Sequence, residues 1–376
     1  MKFRVDRDVL AEAVAWVARS LPTRPPVPVL AGLLIEADEH VLTLSGFDYE
    51  VSARVQVPAD VGSPGRALVS GRLLADISRS LPPAAVEIVL DAGKVVVSCG
   101  KVRFSLLTLP VEDYPALPAM PSATGTATAE LFAGAVAQVA IAAGRDDTLP
   151  VLTGVRVEIE GDTITLAATD RYRLAVREFP WSPQRPDFSA IALIPARTLS
   201  ETAKALATES EITIALSSGP GSDGLVGFES GGRRTTSRLL DGEFPKYRSL
   251  LPSDSSVVAT VCTAALVETV RRVALVAERN TPVRLAFRAG EVTLEAGTGD
   301  EAQALETLDA GLSGDDITIA FNPAYLLDGL GAINAPVAHL AFTAPTRPAI
   351  LSGRTDAEDS APGDYRYLLM PVRLSG

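Results

Sequence analysis

PVLAGLLIEAD at residues 28–38 returns as PVLTGVRVEIE at residues 150–160, and a third version, PVRLAFRAGE, begins at Pro282. Each is followed by a strand-like segment with a Thr-Leu pair: VLTLSG, TITLAA and EVTLEA. From first copy to second, Pro28 maps to Pro150, Thr43 to Thr165 and Asp48 to Asp170, a shift of 122 each time (150 − 28, 165 − 43, 170 − 48). A constant offset over three landmarks marks an internal repeat, and a repeat sets the architecture before any local reading.

Each copy is preceded by a helical pattern. Leu10, Val14 and Val17 share one face of a helix predicted from Asp6 to Leu21; Phe132, Val136 and Val139, and then Leu266, Val270 and Val273, keep the same spacing. Downstream, each third runs from a strand into a second helix at Ser70, Pro195 and Asn322, where capping or first-turn residues belong. Each third closes with hairpin-like strands: RFSLLTLPVEDYPALP, RTTSRLLDGEFPKYRSLLP and YRYLLMPVRLSG. The joints AMPSATGTA and LPSDSSV have linker composition and put boundaries near Pro121 and Pro252, giving domains 1–121, 122–252 and 253–376. The fold class is α+β, three similar domains each with two helices packed on antiparallel sheets, and not the strict alternation of a parallel doubly wound fold.

The chain of 376 residues has 47% apolar and 21% charged residues and carries a net charge of −12. That charge speaks against a simple basic nucleic-acid binder. Its longest apolar stretch, FAGAVAQVAIAAG from Phe132, is too short to span a bilayer and contains Gln138, and MKFRVDRDVL lacks a secretory core, so a cytoplasmic protein without membrane contact is expected. Cys99 and Cys262 read as small buried thiols, and His40 and His339 have no ligand partners spaced around them, so no metal and no cofactor is expected. GPGSDG (219–224) has dinucleotide-loop spacing, but it joins two strands and reads as a hairpin turn; a nucleotide-dependent transferase is the weakest reading. Asp146-Asp147 and Asp315-Asp316 read as solvated turns, and TDAEDSAPGD from Thr355 as an acidic surface loop.

Basic residues recur on predicted helices: Arg72 and Arg79, Arg197 and Lys204, Arg271, Arg272 and Arg279, with Arg24 before a Pro-rich turn. They are either ordinary solvated faces or one surface presented by equivalent helices. The apolar terminus YLLMPVRL is either a core edge strand or one wall of an exposed groove.

Seven motifs, in order along the whole chain, resemble the beta subunit of bacterial DNA polymerase III, the sliding-clamp family: MKF.V.R..L, RP..PVL at Arg24, RFSL.TLP..DYP at Arg103, ATDRYRLAV at Ala168, L.DG.FP.YR..LP at Leu240, FNPAYLLD at Phe321, and YLLMPVRL. The resemblance implies the DNA clamp fold: a head-to-tail homodimer whose six domains close into a ring that encircles duplex DNA without reading its sequence. It implies a non-enzymatic processivity factor that tethers the replicative DNA polymerase alpha subunit, the clamp loader, other polymerases and repair proteins through short peptide motifs. An acidic exterior and a locally basic inner wall reconcile this with the net charge. DNA contacts would come from Arg24, Arg72 and Arg197. The partner groove would use Leu152, Thr169, Arg171, Tyr172, Arg173, Leu174, Pro245, Leu250, Asn322, Tyr325, Leu368, Met370, Pro371, Val372, Arg373 and Leu374. The subunit boundary would pair the RFSL strand (Phe104, Leu106) with Leu275 and Val276. Arg171-Tyr172 stands where many members have Gly-His, and Ser249 and Asn280 replace an Arg and a bulky residue at the rim. The alternative is a peptide-binding scaffold that no longer encircles DNA.

Overall fold

A computed structural model of the chain describes residues 1–217, 224–252, 254–277, 281–297, 302–356 and 363–373. Among the described residues six helices punctuate the chain: α1 (Arg7–Ala18), α2 (Gly71–Ser80), α3 (Ala129–Ala140), α4 (Ala196–Leu206), α5 (Thr263–Val273) and α6 (Pro323–Gly331). The chain forms two compact units, one of residues 1–130, 182–185 and 201–239, the other of residues 131–181, 186–200 and 240–376. Among the described residues each is built on one extended antiparallel sheet, of fourteen strands in the first unit and twelve in the second.

The repeat is preserved in the backbone. Strands Gly32–Asp38, Val41–Phe47 and Val51–Pro58 recur as Gly154–Glu160, Thr163–Thr169 and Arg173–Pro180, with every boundary displaced by 122 (154 − 32, 169 − 47, 180 − 58). Third-copy counterparts are Val283–Arg288, Gly290–Ala296 and Ala304–Ser313. The apolar helix positions are all in the core: Leu10, Val14 and Val17, Phe132, Val136 and Val139, and Leu266, Val270 and Val273 are each at most 3% exposed. Asp6 precedes α1 and its carboxylate accepts the Asp8 N–H at 2.8 Å, satisfying an otherwise orphaned donor. Ser70, Pro195 and Asn322 all stand at strand-to-helix steps; Asn322 caps α6 with its side chain, whereas Ser70 makes no side-chain cap bond.

Sheet continuity joins the copies. In the first unit Arg233–Arg238 pairs with Val51–Pro58, and in the second Tyr365–Leu369 pairs with Arg173–Pro180. The corresponding strands at the two remaining positions keep a free edge among the described residues. Val102–Leu109 pairs along its length with Lys94–Cys99 and on its other side only at Thr108 and Leu109. Ala304–Ser313 pairs with Gly290–Ala296, and beyond Ala310 with Val257–Cys262.

Three readings of the sequence are refined. Cys99 is buried, but Cys262, at the head of α5, is exposed rather than packed. GPGSDG lies outside the described residues except for Gly224, and it connects antiparallel strands Glu211–Leu216 and Leu225–Ser230. The C-terminal strand Tyr365–Leu369 is no edge: it has a partner on each side, with Leu368 and Leu369 buried.

Because Leu266 is fully buried on α5, Leu266→Ala should lower stability by about 2–5 kcal/mol. Urea unfolding would measure it, and an unchanged midpoint would show that the helix face does not pack as described.

Candidate functional site

The site begins with a tight turn. In TDRYRL, the Asp170 carboxylate accepts the N–H groups of Tyr172 (3.0 Å) and Arg173 (3.1 Å), while the Thr169 hydroxyl donates to the Arg173 carbonyl (2.7 Å) and accepts the Arg171 N–H (3.2 Å). Arg171 sits at φ +80°, a left-handed conformation costing a non-glycine residue roughly 1–2 kcal/mol. The same turn occurs one repeat earlier, where Asp48 accepts from Glu50 and Val51 and Tyr49 has φ +76°. The turn belongs to the repeat, and in the second copy Arg173, at its end, makes it a site.

Arg173, 5% exposed, is held on several sides. Its Nε donates to Asp170 Oδ2 (3.0 Å), its Nη1 to Asp328 Oδ2 (2.5 Å) and to the Tyr367 hydroxyl (3.4 Å), and its guanidinium lies 4.4 Å from the centre of the Tyr325 ring. Burial opposes the charge, but the Asp328 bond, with Tyr367 and Asp170, keeps its pKa above the usual arginine value. Tyr325 is fixed in turn: the Asn322 side chain caps α6 by accepting the Ala324 and Tyr325 N–H groups at 2.9 and 3.3 Å, and the Tyr367 hydroxyl donates to the Tyr325 carbonyl at 2.8 Å. Gly329 lets α6 approach that tyrosine, since a Cβ there would stand 2.4 Å from the Tyr367 ring. Tyr172 stacks on Tyr325 with centroids 6.2 Å apart.

These side chains bound a cavity of about 650 Å³ lined by Ala143 to Asp146, Leu149, Leu152, Asp170 to Arg173, Ala324, Tyr325 and Asp328. The volume falls within the roughly 300–1,000 Å³ of ligand sites. Its lining mixes apolar and aromatic side chains with charges of both signs, from Arg145, Asp146, Asp170, Arg171, Arg173 and Asp328. Beside it, Leu174 lies directly opposite Leu368, and both are buried with Ala167, Val176, Leu193, Phe244 and Tyr247. Glu158 locks the overlying segment: its carboxylate accepts from Arg156 Nε (2.5 Å), Arg248 Nη2 (2.6 Å) and the Tyr247 hydroxyl (3.0 Å). Outside that buried layer, Leu250 is 51% and Met370 40% exposed, and Pro245 is exposed as well. The tail is tied down where the Met370 N–H donates to the Tyr172 carbonyl (2.9 Å) and the Val372 N–H to the Ala320 carbonyl (2.8 Å).

Family models of the DNA polymerase III beta subunit match the N-terminal domain at residues 1–118, the central domain at 126–246 and the C-terminal domain at 248–373. The chain belongs to this family. Over the full length of both chains it is 64% identical to a beta sliding clamp of Streptomyces coelicolor, and it is 45% identical to a beta sliding clamp homolog, GriR, of Streptomyces muensis. The sliding clamp of Bacillus subtilis superposes with a TM-score of 0.92 at 27% identity, covering 100% of this chain and 99% of that one. The Pseudomonas aeruginosa clamp bound to griselimycin superposes at 0.91 and 28% identity, with both chains fully covered. The fold is the three-domain α+β sliding-clamp fold.

Of the groove residues implied by the family, Leu152, Arg171, Tyr172, Arg173 and Tyr325 line the cavity directly, while Thr169 and Asn322 shape it from behind. Leu174 and Leu368 form a covered floor, Pro371 and Val372 are half-buried, Arg373 is exposed, and Leu374 and Asn280 lie outside the described residues. Ser249 bonds back to the Lys246 carbonyl. Sequence reading missed Arg145, Leu149 and Asp328, and it took Asp146 for a solvated turn. Asp146 does hold a turn, through Thr148, but it also faces the cavity, and the Thr148 bonds together with the Arg171 charge lower its pKa. The signal for Asp328 was its position three residues after Tyr325 on one helix face.

The other sites of a sliding clamp are more dispersed. Arg24, Arg72 and Arg197 are exposed, the last two in the first turns of α2 and α4. Arg79, Arg271 and Arg272 pair with Asp76, Glu268 and Glu306, and Arg279 lies outside the described residues. Leu106 is buried in its own core and Phe104 packs against that core, so neither side chain faces outward. Alternation puts the neighbour outside instead: Leu107 is 73% exposed, with Leu275 at 84% and Leu305 at 69%, while Val276 is half-buried.

Burial works to raise the Glu158 pKa, but hydrogen bonds from Arg248, Arg156 and Tyr247 hold it below the ordinary value. A depressed carboxylate pKa adds stability above the unfolded value of about 4.3, and that stability is lost as pH falls through the folded value. Glu158→Gln should therefore cost about 1–3 kcal/mol at pH 7 and flatten the acid limb of stability. Urea midpoints at neutral and acid pH would show this; parallel profiles for the two proteins would remove Glu158 from the lock.

Proposed function

We propose that the chain acts as a DNA polymerase processivity clamp: a homodimer that closes head to tail around duplex DNA and tethers its partners by short peptides held at the Arg173–Tyr325 groove. The observation that carries this is the pattern of strand edges. Three equivalent positions exist in the repeat; two are joined within the chain, and the third leaves the edges of Val102–Leu109 and Ala304–Ser313 open, each with an exposed leucine. Open edges seek partners, and a heterologous contact that pairs them between two copies closes when the rotation fits. In this reading the domains run 1–121, 122–252 and 253–376, which the family-model spans support. Arg24, Arg72 and Arg197 contact phosphates, so binding ignores base sequence. The partners are the replicative polymerase alpha subunit, the clamp loader and other polymerases and repair proteins. The chain serves as an accessory subunit without chemistry of its own, in the cytoplasm; among the described residues no helix is long and apolar enough to cross a membrane.

Topological holding distinguishes this from the scaffold alternative. Loaded on nicked circular DNA, the protein should stay bound through gel filtration and leave when the circle is cut; equal retention on both forms, or none on the circle, would overturn the ring.

The boundary has its own test. Burying Leu107, Leu275 and Leu305 is worth about 1.5–3 kcal/mol each, so Leu107→Lys with Leu275→Lys should yield monomers in sedimentation, with circular dichroism unchanged. A persistent dimer would place the interface elsewhere.

A further inference from the structure

The first unit contains the counterpart of the groove floor, with its chemistry inverted. At the second-unit junction Leu174 lies opposite Leu368 and Val176 opposite Arg366. At the first-unit junction, in the same register, Ser52 lies opposite Thr236 and Arg54 opposite Arg234. Hydroxyls and guanidiniums thus replace an apolar pair and a valine. The segment that follows Tyr114 lies over this floor, and Met120 packs so closely that a Cβ on Gly227 would stand 2.3 Å from its sulfur. Between segment and strands is a cleft of about 160 Å³, walled by Arg54, Arg234, Ser52 and Thr236 on one side and by Leu117 and Met120 on the other. That is below the volume of sites for whole small molecules, roughly 300 Å³ and up, and has room for one side chain.

The charges in the cleft are unbalanced. Like charges directly opposite on paired strands repel, yet Arg54 and Arg234 are placed so. Glu229 answers only one of them, through two 3.0 Å bonds to Arg234 Nη2. Arg54 is exposed and makes no ion pair among the described residues, and Arg234 Nε is buried without a hydrogen-bond partner. Two guanidiniums less one carboxylate leave a single positive charge, which a single carboxylate matches, and such charge-assisted bonds are the strong ones. From this geometry we infer a second docking cleft, independent of the groove, that takes one acidic side chain of a peptide, with its apolar neighbour against Leu117 and Met120.

The chain has three methionines, one in this cleft and one, Met370, at the groove, so methyl NMR of ¹³C-methionine protein separates the two sites. An acetylated tetrapeptide Gly-Glu-Leu-Gly amide should shift the Met120 signal and leave Met370 in place. Its Gln twin should bind about tenfold or more weakly, and Arg54→Glu, or the milder Arg54→Gln if folding suffers, should lose the shift while Tyr172→Ala keeps it. Equal binding of the Gln twin, a shift confined to Met370, no shift at all, or the same Met120 shift produced by inorganic phosphate alone would overturn the inference. None of these outcomes bears on ring closure or on the Arg173 groove.

Discussion

A strand edge is a row of backbone N–H and C=O groups that must find partners, and the organisation of this protein depends on how three such edges are met. The first copy's edge at Val51–Pro58 is taken by Arg233–Arg238, and the second copy's at Arg173–Pro180 by Tyr365–Leu369. These main-chain ladders fuse domains into continuous sheets, and for this reason the compact units do not coincide with the repeats. The third edge, along Ala304–Ser313, has no such strand within the chain among the described residues. The proposed ring arises from that one unmet requirement.

The same junctions make the sites. At both junctions where a strand from one copy docks on the edge of another, a linker crosses the new surface. At Leu174 and Leu368 the surface is apolar, and the linker seals it with Phe244 and Tyr247 under the Glu158 lock. The usable cavity then opens beside it, around Arg173. At Ser52 and Thr236 the surface is polar and, beside Arg54 and Arg234, basic, and the smaller cleft lies between it and the linker. One backbone design presents two chemistries because the side chains facing the linker differ.

Arg173 shows how much the second junction depends on electrostatics. It is nearly buried, and a buried cation is costly unless paired; Asp170, Asp328, Tyr367 and the Tyr325 ring supply the pairing from three separate elements. The guanidinium therefore ties the turn, α6 and the C-terminal strand together as well as lining the cavity. Arg171 in a left-handed conformation lies at the same turn, where the family resemblance points to glycine.

The repeat, the α+β class, the helix faces and the motif-bearing turns were legible in the linear chain. Each rests on local periodicity: 3.6 for Leu10, Val14 and Val17, and 2 for the strands that recur at a fixed offset. The family was legible too, because its motifs sit on those local elements. Tertiary packing alone settled which way neighbours across the junctions point. Leu106 turned inward and Leu107 outward, Leu174 became a covered floor, and Arg145 entered a cavity that no local pattern announces. Nothing in the chain near Arg54 says that Arg234 lies opposite it, since that pairing joins residues far apart in sequence through a strand register set by main-chain hydrogen bonds.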